Sequence, residues 1–108
     1  MSEKLVYQQG DVLFFRIAAL PAKRQTVQAQ GHHVLALGET TGHAHAIRDL
    51  EHCDLYCDEN GMLYIENKTP VDVIHEEHKA ITIQPGVYRI GRVQEIDPFT
   101  EEIRAVQD

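Results

Sequence analysis

Apolar residues along this chain fall in short bursts, and none of useful length shows a helical period. Val12-Leu13-Phe14-Phe15-Arg16-Ile17 follows Gly10-Asp11, and His33-Val34-Leu35-Ala36-Leu37 runs between Gly31 and Gly38. Leu55-Tyr56-Cys57 and Met62-Leu63-Tyr64-Ile65 flank Glu59-Asn60-Gly61, whose Asn-Gly pair favours a tight turn between two strands. Pro70 precedes Val71–His75, Pro85-Gly86 precedes Val87–Val93, and Asp97-Pro98 turns the chain before Ile103–Val106. β-branched and aromatic residues fill these bursts while Gly, Pro and Asn punctuate them, which is strand chemistry. Leu50–Leu55 and Pro98–Glu102 offer at most a turn of helix each. The pattern predicts a single all-β domain over residues 1–108, a small antiparallel barrel or sandwich.

Composition narrows the function classes. Of 108 residues, 43% are hydrophobic and 25% charged, ordinary globular usage that argues against a disordered chain. Lys+Arg 10 against Asp+Glu 17 leaves a formal charge of −7, which opposes a general grip on nucleic-acid phosphates. No apolar run approaches the roughly 20 residues of a membrane helix, and Met1-Ser2-Glu3-Lys4 leads into no apolar segment of a signal peptide. A soluble, cytoplasmic protein with no nucleic-acid or membrane partner is expected. Cys53 and Cys57 on one strand would share a face about 13 Å apart, beyond disulfide reach, so reduced thiols are expected.

The unusual number is seven histidines. In Gly42-His43-Ala44-His45-Ala46-Ile47, an extended backbone points His43, His45 and Ile47 to one face and the two alanines to the other. Two imidazoles on neighbouring same-face positions can converge on one ion. The second pair lies in His75-Glu76-Glu77-His78. A hairpin with Glu76-Glu77 as its two-residue loop would set His75 opposite His78, about 5 Å apart at Cβ. Glu-Glu suits a type I′ turn poorly, and a wider turn would still keep the two rings near one another. Four imidazoles suit zinc, nickel or iron, and Glu76 or Glu77 is the candidate general base should the site be catalytic.

The remaining candidates have plainer readings. His32 and His33 straddle the two faces of their strand, so at most one points inward, and His52 sits in a polar loop. Arg89, Arg92 and Arg104 are expected as solvated partners of Glu95, Glu101 and Glu102. Tyr56, Tyr64 and Tyr88 are expected in core or rim, and Gly38-Glu39-Thr40-Thr41-Gly42 as a hairpin loop.

Taken as a set, Gln9-Gly10-Asp11-Val12, Thr41-Gly42-His43-Ala44-His45 and His75-Glu76-Glu77-His78 with Gly86-Val87-Tyr88 resemble the motifs of a group of short bacterial proteins of unassigned function. That resemblance spans Gln9 to about Asp97 and groups the four histidines without implying an activity. Gly38, His43, His45 and Glu51 are also loosely similar to the first half of the cupin pattern, which would imply a cupin-like barrel. The second half departs from it, because no histidine follows Pro85-Gly86. Ile47 stands where the histidine-triad hydrolases have their third alternating histidine.

The expectation is therefore a small histidine-rich protein whose His43, His45, His75 and His78 bind a divalent transition metal, with a small-molecule substrate or a protein as partner. The alternative is a non-enzymatic acidic β-module that binds a partner protein, its histidines structural or pH-titrating. A homodimer is expected on either reading, since open sheet edges are often covered by a second copy and symmetric dimers are the commonest oligomers.

Overall fold

The computed structural model describes residues 3–29, 31–37 and 44–93. Ten strands run through them: β1 (Lys4–Gln9), β2 (Val12–Arg16), β3 (Arg24–Thr26), β4 (His33–Leu37), β5 (Ala44–Ile47), β6 (Cys53–Asp58), β7 (Leu63–Asn67), β8 (Val71–Ile74), β9 (Ile81–Ile83) and β10 (Gly86–Arg92). They form two antiparallel sheets, one of six strands in the order β1-β2-β10-β7-β6-β3 and one of four in the order β4-β5-β8-β9. The all-β expectation holds. Among the described residues no hydrogen-bonded ladder joins the two sheets, so the architecture is sandwich-like and not a closed barrel.

Alternation decides which side chains meet between the sheets. Val12 and Phe14 of β2, Leu55 of β6, Ile65 of β7 and Tyr88 and Ile90 of β10 face Ile47, Val71, Val73 and Ile83 of the smaller sheet, all nearly or fully buried. Tyr7 packs edge-on against Phe14, with ring centres 6.4 Å apart, and stands beside Tyr88. Each buried aliphatic or aromatic side chain here contributes roughly 1.5–3 kcal/mol of transfer free energy.

Two turns set the register. The β6–β7 hairpin closes through Gly61 at φ +83, with the Gly61 N–H donating to Asp58 O and the Asp58 carboxylate accepting the N–H groups of Asn60 and Met62. This is the Asn-Gly turn the sequence predicts. At the β1–β2 hairpin Gln9 pairs with Val12 across the two-residue turn Gly10-Asp11, and Gly10 takes φ +60. A positive φ at the first central position is what a type II′ turn requires and glycine supplies without a Cβ clash.

Several expectations need correction. Cys53–Leu55 is the start of β6, not part of a helical turn, because Cys53 and Leu55 alternate into the core. The β8–β9 connection is wider than a two-residue hairpin. Val73 pairs with Ile81, which leaves residues 75–80 outside the ladder and takes His75 and His78 out of direct opposition. Glu-Glu cannot supply the positive φ of the tight turn, so the chain bends through 76–78 instead. Arg89 pairs with Glu3 and Arg92 with Asp11. Arg104, Glu95, Glu101 and Glu102, the strand expected at Ile103–Val106, the loop at Gly38–Gly42 and the turn at Pro98–Glu102 lie outside the described residues. No helix among the described residues is long and apolar enough to cross a membrane.

Candidate metal centre

Three of the four histidines singled out by spacing come together at one end of the sandwich. His45 lies on β5 with its ring between the sheets and 2% exposed. His75 follows β8 directly and is half-buried, and His78 follows it on the exposed bend. Their ring centres stand 4.3 Å apart for His45 and His75, 4.7 Å for His75 and His78, and 5.8 Å for His45 and His78. His43 lies outside the described residues.

The buried ring is held by a residue that spacing arguments passed over. Gln9, at the end of β1 and 3% exposed, donates from Nε2 to the carbonyls of Val73 and Lys79, both at 2.9 Å. Two carbonyl partners fix the amide's orientation, because only the nitrogen can donate to them. Oε1 therefore faces His45 Nδ1 at 2.8 Å and must accept, so Nδ1 carries the proton. The lone pair of the neutral ring is left on Nε2. Fixing the tautomer through the far nitrogen is how proteins orient metal-binding histidines. Gln9 belongs to the larger sheet and its three partners to the smaller sheet and its bend, so one side chain also ties the layers together at this end.

Around His45 Nε2 the field is mixed. Asp11 Oδ1 lies 3.9 Å away, too far for a hydrogen bond but close enough for charge to act. The other oxygen of Asp11 accepts from Arg92 Nε at 3.1 Å and Nη2 at 2.8 Å. Burial, then the neighbouring His75, lower the His45 pKa from 6.5 to about 4, with Asp11 acting the other way and His78 and Arg92 lowering it further. His45 is neutral at pH 7, the protonation state a metal needs.

The other two rings are placed by backbone contacts. His75 Nδ1 accepts the N–H groups of Glu77 at 3.0 Å and His78 at 3.2 Å, so the imidazole braces its own bend. The neutral ring then carries its proton on Nε2. The His78 ring lies over the β1–β2 turn so closely that a Cβ on Gly10 would stand 2.7 Å from His78 Nε2. Glu76 Oε1 accepts the Ala44 N–H at 3.0 Å, which ties the bend to the start of β5. Among the described residues no group of three or more His, Cys, Asp or Glu is already arranged to hold a metal ion.

The plainer histidines are where their types place them. His33 is buried, its Nε2 2.7 Å from the Cys53 carbonyl oxygen, which makes it a hydrogen-bonded core residue. His32 is exposed, and His52 Nδ1 contacts the Asp49 carboxylate at 3.0 Å on the surface. Cys53 and Cys57 are both free thiols.

Gln9, Asp11 and Arg92 are the residues around the imidazoles that histidine spacing does not find. For Gln9 and Asp11 the one signal in the sequence is the Gln9-Gly10-Asp11-Val12 motif, which precedes His45 by more than thirty residues. No curated protein and no solved structure matches the chain. A family profile matches residues 8–93, from just before Gln9 to just past Arg92, and the chain belongs to that family, described as Domain of unknown function (DUF8820).

Proposed function

We propose that this protein binds one divalent transition-metal ion, zinc, nickel or iron, at the rim between its two sheets. His45 would bind through Nε2, with His78, His75 and His43 as the further imidazole donors. The observation that carries this reading is the oriented, neutral His45 ring, its lone pair on Nε2 without a hydrogen bond among the described residues and set within a cluster of imidazoles. Imidazoles sharing one ion, with metal–nitrogen bonds of about 2.1 Å, hold their ring centres roughly 4.5–5.3 Å apart. The separations of 4.3, 4.7 and 5.8 Å bracket that range.

Ligation by His75 requires a rearrangement. Its Nδ1 already accepts two backbone N–H groups, so the ring must turn and give up those bonds to present a lone pair to the ion. Metal binding is therefore expected to remodel the 75–78 bend, at a cost of about 1 kcal/mol per hydrogen bond released. Glu76 and Glu77, on that bend, are the carboxylates we assign as candidate general bases for a metal-bound water.

Elemental analysis of the chain purified without a histidine tag tests the reading. Near one equivalent of a single transition metal is expected, lost in His45→Ala and in the exposed-site variant His78→Ala, which leaves the core intact. Absence of bound metal, together with unchanged thermal stability on adding zinc, nickel or iron, would overturn it.

A further inference from the structure

A cleft that shares Arg92 with the surroundings of the imidazoles is left unexplained by the metal reading. It has a volume of about 320 Å³ and is lined by Leu35, Met62, Leu63, Ile90 and Arg92, with Asn60 and Gly61 of the β6–β7 turn at its lip. Leu35 and Ile90 are core residues, 3% and 4% exposed, one from each sheet, so the floor of the cleft is the apolar interior of the sandwich itself. Arg92 is the charged residue among the described lining residues. Tyr88, Ile90 and Arg92 alternate on β10, so the sequence sets a guanidinium on the face that Tyr88 and Ile90 turn to the core.

Arg92 engages Asp11 through Nε and Nη2 alone, both on the single oxygen Oδ2. Its side chain is 22% exposed, and its Nη1 amino group has no hydrogen-bond partner among the described residues. A planar guanidinium presents five N–H donors in a fixed fork, and the edge left over suits a carboxylate. The cleft has room for about ten non-hydrogen atoms at the volume a water takes in the liquid.

We propose that this cleft binds a small monocarboxylate with an apolar body, its carboxylate on Arg92 Nη1 and its body against Leu35, Met62, Leu63 and Ile90. The assignment rests on the metal reading in one respect only, the coupling between the two sites. Arg92 holds Asp11, and Asp11 Oδ1 faces His45 Nε2 at 3.9 Å, so the carboxylate would sit two side chains from the candidate ion. Without the ion, Asp11 offsets the charge of Arg92 and binding is weak. A divalent cation at the imidazoles makes the local charge positive and strengthens the hold on the anion. By linkage, the carboxylate tightens the metal by the same factor.

Benzoate is the probe, with benzyl alcohol as its uncharged counterpart, titrated into the ¹⁵N-labelled full chain before and after zinc loading. Benzoate is expected to shift the amides of Leu63, Ile90 and Arg92. It should bind at least tenfold more tightly than benzyl alcohol, and more tightly still in the zinc-loaded chain. Arg92→Gln should remove the preference for benzoate. Met62→Trp, which narrows the cleft and leaves Arg92 and His45 in place, should weaken both probes at least tenfold.

Equal binding of the two probes, an unchanged benzoate affinity in Arg92→Gln, or shifts confined to residues away from the cleft would overturn the proposal. A chain that fails to take up zinc overturns the metal reading instead. The titration of the metal-free chain, where the preference for benzoate must still depend on Arg92, then decides the cleft by itself.

Discussion

Acidifying the metal-free protein should destabilise it through His45. The unfolded chain carries this imidazole at its ordinary pKa of 6.5, and the folded chain at about 4 because the ring is buried beside His75. Above pH 6.5 the ring is neutral in both states and contributes no pH dependence. Between 6.5 and 4 the unfolded chain takes up a proton that the folded chain refuses, so stability falls as the pH falls. The slope approaches about 1.4 kcal/mol per pH unit, and the gap amounts to about 3 kcal/mol by pH 4 and levels off just below it. That is a large fraction of the 5–15 kcal/mol typical of whole domains. The assay is urea unfolding followed by far-UV circular dichroism at pH 7, 6, 5 and 4 in the presence of chelator. It compares the native chain with His45→Gln, whose amide is uncharged throughout and whose difference from the native chain isolates the one group. The native chain should lose about 3 kcal/mol more than the variant across this range. Equal losses would refute the reasoning, since they would mean that His45 takes up its proton as readily folded as unfolded.

Three further outcomes follow from the same geometry. Gln9→Leu leaves the Val73 and Lys79 carbonyls and the His45 Nδ1 proton unpaired, and should cost about 3 kcal/mol in urea unfolding and weaken zinc roughly 10- to 100-fold by calorimetry; an unchanged midpoint would count against the staple. Gly10→Ala forces a Cβ into a positive-φ position against His78 Nε2, so a loss of about 1 kcal/mol is expected together with displaced His78 ring resonances in the NMR spectrum. Burial pushes the Cys53 thiol up to about 12, so iodoacetamide at pH 8 should label Cys57 first, and mass spectrometry finding Cys53 modified at the same rate in folded protein would contradict the core packing.

The strands that form the sandwich were mostly legible because their solvent-facing and core-facing positions alternate. β2, β4, β6, β7, β8 and β10 all contain bursts read from the sequence. β1 was not found. Its residues Leu5-Val6-Tyr7 run into Gln8-Gln9, a bulge shifts the register between Leu5 and Tyr7, and the position that should be apolar is the glutamine that meets His45. β3 is three exposed polar residues, Arg24-Gln25-Thr26, held by pairing with β6 and carrying no signal of its own.

For the candidate site the division has a physical cause. The sequence by itself determined what is local: the His-x-His alternation that turns His45 inward, the short separation that keeps His75 near His78, and the glycine that permits the β1–β2 turn. Each depends on backbone periodicity or turn chemistry over a few residues. Only the tertiary structure decided which nitrogen of His45 carries its proton, which carboxylate faces it, and which arginine was left pointing into a cleft. Gln9 meets His45 across 36 positions by the packing of one sheet on the other, and Asp11 meets Arg92 across 81 by the pairing of β2 with β10. No pattern of spacing encodes such a meeting, because the distance along the chain says nothing about the distance between layers once the core has closed.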